Sequence, residues 1–239
     1  PGDTTARSVG ADAVAAAIAA EAARRGIAID LIRNGSRGLM WLEPLVEVAT
    51  PAGRIAYGPV TAADVPGLFD AGFLDGKAHP LGHGLTEAIP FLQRQERLTF
   101  ARVGIVDPLS LDDYAAHGGL TGLKAALTLA PGDIVQAITD SGLRGRGGAA
   151  FPAGIKWRTV LDAPGTEKTI VCNADEGDSG TFSDRMLLEG DPYCLIEGMV
   201  IAGLAVGATK GYVYLRSEYP LAWRIVHQAL DRARAAGLL

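Results

Sequence analysis

The sequence predicts an α/β chain in two parts, and two observations carry that prediction. A strong helix, residues 11–25, stands ahead of short β-branched runs with turn residues between them. In the second half the order strand, helix, strand, helix calls for a parallel sheet with a right-handed crossover. The 239 residues, 48% hydrophobic and 21% charged, are enough to bury a sizeable core and fit one large or two small domains. A net charge of −5 with dispersed Lys and Arg excludes nucleic acid as the main partner, because phosphate binding needs clustered cations. No apolar run approaches the roughly 20 residues that span a bilayer. The alanine-rich opening carries Asp12, Glu21, Arg24 and Arg25, unlike a signal peptide, so a cytoplasmic location is expected. Two cysteines, Cys172 and Cys194, are too few for an iron–sulfur or structural zinc site and read as buried thiols. The 31 glycines and 13 prolines form no repeat, which points to loops shaped for ligands or turns. The end at Leu239, just after a helix and with no closing strand, suggests a piece of a longer polypeptide.

In chain order, residues 11–25 are helix formers with cations in the last turn and Gly26 as the cap. Ile27–Ile32 alternates as a strand, and Leu45–Val48 with Arg54–Tyr57 reads as a hairpin around Thr50-Pro-Ala-Gly53. Thr61-Ala-Ala-Asp64 caps a short helix that ends near Gly72. Residues 75–86 read as a turn-rich linker; His79 and His83 are there, but Pro80 and Gly82 break a helix, so solvated linker histidines are preferred to a metal pair. The divisions expected are 1–85, a linker at 86–120, and 121–239.

Past Asp107–Tyr114, a helical entry, Pro131 opens a helix that stops at Ser141-Gly142. Five of the next thirteen residues, Gly142 to Gly154, are glycine, and Pro152 opens another helix through Ile155, Trp157, Val160 and Leu161. A glycine loop feeding a helix N-terminus cradles phosphate: the backbone comes close, its N–H groups converge, and the helix dipole favours an anion. Arg144, Arg146 and Lys156 add positive charge, while Gly145, Gly147 and Gly148 match neither a dinucleotide fingerprint nor a Walker loop. Lys168–Cys172 is a strand whose end runs into Asn173-Ala-Asp-Glu-Gly-Asp178, the place where open α/β sheets bind ligands. These carboxylates suit a ligand with hydroxyl donors; the plainer alternative is a cluster of caps and turns. Asp191-Pro192 then starts a long helix to Gly207, Gly211–Leu215 a second strand, and Tyr219-Pro220 a last helix.

Gly142–Trp157 together with Asn173–Arg185 resembles the family of FMN- and NADH-binding subunits of respiratory complex I and its diaphorase relatives. The loop Arg33–Val48 resembles the thioredoxin-like [2Fe–2S] domain found with that family, with Ser36 and Met40 in the cysteine places, so no cluster is expected there. An unrelated α/β module with a glycine-rich turn is the alternative for this segment. The resemblance implies a degenerate thioredoxin-like domain followed by a Rossmann-like FMN-binding α/β domain, incomplete at its C-terminus. It implies FMN on Gly145, Arg146, Gly147, Gly148 and Lys156, with Asn173, Asp175, Glu176 and Gly177 around the ribityl chain and ring edges. NAD(H) would stack on Phe151 and meet Asp178. Ala150, Asp178 and Thr159 depart from the family's glycine, glutamate and aromatic residue. The implied activity is a flavin-dependent NAD(H):acceptor oxidoreductase with no catalytic side chain and no metal site of its own. Fusion with loss of the cysteines looks most like the diaphorase subunit of an NAD-dependent formate dehydrogenase. Iron–sulfur and molybdenum-containing subunits would then be its partners, and a [4Fe–4S] site would lie beyond these residues. Related diaphorase subunits of complex I or an NAD-reducing hydrogenase, and a non-redox scaffold, are the other readings.

Overall fold

A computed structural model describes residues 1–165 and 167–239. It divides into two compact units, residues 1–110 with 186–191, and residues 111–185 with 192–239.

The first unit contains α1 (Thr4–Ser8), α2 (Ala11–Arg24), β1 (Val46–Thr50), β2 (Gly53–Tyr57), α3 (Val65–Ala71), β3 (Gly82–Leu85) and α4 (Pro90–Gln93). Val14, Ile18 and Ala22 recur at helical spacing on α2 and bury one stripe against Tyr57, Val65, Leu68, Phe69 and Phe73. At the end of α2, Glu21 collects Arg24 and Arg25, each at 2.6 Å, and Arg25 reaches on to Asp70 at 2.7 Å. The hairpin forms as expected, antiparallel from Val46↔Tyr57 to Thr50↔Gly53. Its turn is closed by the Thr50 hydroxyl donating to the Gly53 carbonyl at 2.7 Å. The Thr61/Asp64 capping box is also present, and Gly72 ends α3 in the left-handed conformation.

Two sequence expectations fail in this unit. Ile27–Ile32 is not a strand: Ile27, Leu31 and Ile32 are exposed and only Ile29 packs on the core. A crevice of about 190 Å³ lies between residues 30–34 and Leu45–Glu47, and no ladder bond crosses it. The following residues are held by polar groups of the N-terminal segment instead. Arg33 bonds to Asp12 at 2.6 Å, and the Ser36 amide donates to Asp3 at 2.8 Å. The second correction is at 82–85, expected as linker, which forms β3 on the open edge of β2. Two glycines conceal its strand character from any propensity argument.

In the 33–48 loop, Ser36 is buried and its hydroxyl donates to Glu43 at 2.7 Å, while Met40 points to solvent. Arg37, 2% exposed, pairs with Glu47 at 3.0 Å and Glu87 at 2.8 Å. Burial pushes the Glu43 carboxyl above its usual range despite the bonds from Ser36 and the Leu45 amide. The returning segment 186–191 is anchored within this unit by Glu189, which accepts the Thr4 amide and hydroxyl at 2.6 and 2.7 Å. Asp191 is bound by Arg102 at 2.9 Å.

The second unit carries α5 (Leu111–Ala116), α6 (Thr121–Ala126), α7 (Pro131–Asp140), α8 (Ala153–Asp162), β4 (Thr169–Ala174), the first turn of α9 (Ser183–Gly190), α10 (Pro192–Val206), β5 (Lys210–Leu215) and α11 (Pro220–Ala235). β4 and β5 pair in parallel from Thr169↔Lys210 to Ala174↔Leu215, with α10 as the crossover. The core joins Ala126, Ile134, Val135, Ala205 and Val206 with Trp157, Leu161 and Ile170. Pro152 is the N-cap of α8 rather than its first residue. The loop before α8 is seated by Gly154: a Cβ there would lie 2.3 Å from the Thr139 hydroxyl and 2.7 Å from its Cα. Gly154→Ala is therefore expected to cost about 2 kcal/mol through overpacking against α7, read as a lower denaturant midpoint. A variant as stable as the parent would contradict this packing. Among the described residues no helix is long and apolar enough to cross a membrane.

Candidate functional site

The glycine loop, residues 142–151, connects α7 to α8 and is exposed along its length. Its neck is closed by the Gly145 amide on the Phe151 carbonyl at 2.9 Å, the Ala153 amide on the Leu143 carbonyl at 2.8 Å, and the Arg144 guanidinium on the Ala150 carbonyl at 3.0 Å. Past that neck, the backbone amides of Arg146, Gly147 and Gly148 donate to nothing among the described residues. A Cβ at Gly147 or Gly148 would meet open space. The side chains of Arg146 and Lys156 make no hydrogen bond or ion pair among the described residues either. Lys156 stands in the first turn of α8, where the helix dipole adds positive potential. Unpaired amides, two free cations and a helix N-terminus are the donor set a phosphate monoester requires. The Phe151 ring, 47% exposed, has no aromatic partner among the described residues.

Ala150 takes φ 50, in the left-handed region that glycine occupies without strain. Relief of roughly 1–2 kcal/mol of strain, less the 0.5–1 kcal/mol that glycine loses in entropy, makes Ala150→Gly stabilising by about 0.5 kcal/mol. A denaturant melt that instead shows a loss contradicts this strain.

The acidic run lies at the C-terminal end of β4, as expected. Asn173 accepts the Asp175 amide at 3.2 Å. The carboxylates of Asp175 and Asp178 bond to no group among the described residues, whereas Glu176 is fully engaged. One of its oxygens accepts the Ser183 hydroxyl at 3.1 Å and the Asp184 amide at 2.7 Å; the other accepts the Arg185 amide at 3.1 Å and the Tyr219 hydroxyl at 3.0 Å. Its carbonyl accepts from Arg216 at 2.7 Å. A Cβ at Gly177 would sit 3.2 Å from an Asp175 carboxylate oxygen, a tight contact that a small shift of that side chain relieves. Among the described residues three of the four non-glycine residues at positive φ, Ala150, Glu176 and Phe182, lie in or beside these two loops. Such strain concentrates where surrounding structure holds a loop for binding. No hydrogen bond or ion pair joins the glycine loop to the acidic loop among the described residues; α8 and β4 bring their ends to one core through Trp157, Leu161 and Ile170.

Burial opposes ionisation of Glu176 most strongly, but the bonds from Asp184, Arg185, Tyr219 and Ser183 together outweigh it and hold its pKa below the ordinary 4.5. A depressed acid pKa stabilises the fold fully above 4.5, and that contribution is lost as pH falls through the folded-state value. Amide exchange at Asp184 and Arg185, corrected for intrinsic rates, is therefore expected to accelerate on acidification below that point. Flat protection would contradict it. Burial, reinforced by the Glu176 charge, pushes the neighbouring Asp184 carboxyl up.

Sequence reasoning missed Phe182, Ser183, Arg216 and Tyr219. The Arg216 guanidinium lies 5.1 Å from the Tyr219 ring centroid, and Arg185 stacks on both Phe182 (4.3 Å) and Tyr219 (5.6 Å). The available signal was positional: β5 ends beside β4 in parallel register, so the turn at 216–219 falls at the same carboxyl edge as the acidic run.

Residues 138–238 match the family model described as the Nuo51 FMN-binding domain. The "NADP-reducing hydrogenase subunit HndC" of Solidesulfovibrio fructosivorans is 50% identical over 147 residues, which cover 62% of this chain and 30% of that protein. An NADH-quinone oxidoreductase subunit of Aquifex aeolicus is 44% identical over 130 residues, 54% of this chain and 30% of that one. The "NAD-reducing hydrogenase HoxS subunit alpha" of Cupriavidus necator is 48% identical over 117 residues, 49% of this chain and 19% of that one. The chain thus spans less than a third of the length of these curated relatives.

Proposed function

We propose, from the match of residues 138–238 to the family model described as the Nuo51 FMN-binding domain, that the chain is part of a flavin-dependent NAD(H) oxidoreductase subunit in a multi-subunit complex. The observation that carries this reading is the row of unpaired amides at Arg146–Gly148 beside the free side chains of Arg146 and Lys156. They fit the FMN phosphate, while the side chains of Asn173 and Asp175 beside Gly177 fit a ribityl chain rich in hydroxyl donors. Phe151 offers an open aromatic face to the dinucleotide, and the free carboxylate of Asp178 is an acceptor for its ribose hydroxyls.

FMN held by the loop amides of Arg146–Gly148, Lys156 and the acidic loop would supply the hydride and one-electron chemistry. The chain's own residues bind and orient: the loop amides and Lys156 neutralise phosphate charge, and the acidic loop fixes the ribityl end. No side chain is assigned a proton-transfer role.

Within this class we read the chain as the diaphorase subunit of an NAD-dependent formate dehydrogenase of the cytoplasm. Residues 1–85 would be its degenerate thioredoxin-like domain, residues 86–120 a linker and residues 121–239 the FMN- and NAD(H)-binding domain. Support comes from the 33–48 loop, where Ser36 is hydrogen-bonded to a buried glutamate and Arg37 fills the interior with ion pairs. Iron–sulfur and molybdenum-containing subunits are then its partners. Purification of the intact complex tests this: NADH-dependent dye reduction with molybdenum in the co-purifying subunits is expected. Nickel in place of molybdenum would shift the assignment to a hydrogenase, and absence of NADH-dependent reduction would refute the oxidoreductase reading.

A further inference from the structure

We propose that Tyr219 and Arg216 are positioning residues that set the acidic loop through Glu176, and that Glu176 acts on bound flavin by holding the loop rather than by touching the cofactor. The inference rests on the flavin reading above.

A carboxylate offers about four acceptor positions. Those of Glu176 take Ser183, Asp184, Arg185 and Tyr219, leaving none for a ribityl hydroxyl. The residue sits at φ 44 and Phe182, at the other end of the segment, at φ 53, so residues 176–182 are held between two strained points. Strain of this kind persists only where outside contacts impose it. Two of those contacts come from the turn after β5. Tyr219, 5% exposed, donates to the carboxylate, and Arg216 donates to the Glu176 carbonyl at 2.7 Å. Arg216 is fixed in turn by Glu218, at 3.2 and 3.1 Å, and lies over the Tyr219 ring. The two strand ends are thereby tied, with the carboxylates of Asp175 and Asp178 left as the loop's free acceptors among the described residues and the Asn173 side chain accepting the Asp175 amide.

The test is a double-mutant cycle in the intact protein with its co-purifying subunits, using Tyr219→Phe, Glu176→Gln and the double variant. Two quantities are read: FMN affinity, by fluorescence titration of flavin-depleted protein, and amide exchange at Asp184 and Arg185 without flavin. Each single change is expected to weaken FMN about tenfold, within the usual range of coupling between linked sites. The double variant should be no weaker than the weaker single, because both changes break one linkage. Exchange at both amides should rise in all three variants. Additive losses, or weaker FMN in Glu176→Gln with unchanged exchange, would show direct contact and overturn the proposal. Should Tyr219→Phe fail to fold, Ser183→Ala, a partly exposed partner of the same carboxylate, replaces it in the cycle with the same expected non-additivity. A parent protein that takes up no FMN would refute the flavin reading itself, whereas additive exchange effects with normal FMN uptake would refute only the positioning role.

Discussion

Glu197→Ala is expected to destabilise the second unit by about 3 kcal/mol, because hydrogen bonds to a buried charge contribute more than neutral ones and their loss strands the donors. Glu197 lies inside α10, 7% exposed. Its two oxygens accept the amides of Leu120 and Leu123, both at 2.8 Å, and the hydroxyl of Tyr114. Those amides belong to the start of α6, where Leu120 takes φ 62 and offers no side-chain cap. The carboxylate therefore caps α6 from another helix and answers its dipole. Alanine would remove the carboxylate that accepts both amides and the Tyr114 hydroxyl, and would open a cavity beside Gly122. Glu197→Gln, which keeps one acceptor, should cost about half as much, and Tyr114→Phe, which removes a single donor, about 1 kcal/mol. Denaturant melts at constant slope decide the matter; a loss below about 1 kcal/mol for the alanine variant would mean that water reaches these groups.

Lys156→Ala is expected to weaken FMN binding by about 30-fold or more, the equivalent of about 2 kcal/mol for one charge-assisted bond to phosphate. The same variant should leave the unfolding free energy within about 0.5 kcal/mol of the parent, since nothing in the described chain depends on that ammonium. This separation of binding from stability is what distinguishes a ligand-facing cation from a structural one. Arg146→Ala should behave similarly, and both losses should shrink as salt is raised, because the loop is open to solvent and screening applies. A lysine variant that binds FMN normally would place the phosphate elsewhere.

These two sites differ in how far the sequence announced them. Lys156 and the glycines stand in a local pattern, glycines then a helix start, and local patterns survive translation into structure because the forces that shape them act between near neighbours. The same holds for α2, the β1–β2 hairpin, the Thr61 box and the β4–α10–β5 crossover. Glu197 was legible only as one charge in an otherwise apolar helix; its partners lie 74 and 77 residues away, which no periodicity records. Likewise, β3 is stabilised by its place on the edge of β2 rather than by its own glycine-containing sequence. Ile27–Ile32 failed the opposite way: it has strand propensity, but the neighbouring polar groups are bound by Asp3 and Asp12 and the strand edge stays across a crevice. Glu176 shows the limit within the site, since a motif names the residue while only the fold shows that its carboxylate is already engaged by α9 and Tyr219.

The central claim is that residues 142–178 hold a flavin. The most direct measurement is the flavin released on denaturing the purified intact protein, identified by its mass and quantified by absorbance against protein concentration. We expect FMN at close to one per chain, and a lower occupancy after purification when Lys156 is replaced by alanine. A colourless protein that releases no FMN and takes none up from solution would contradict the account.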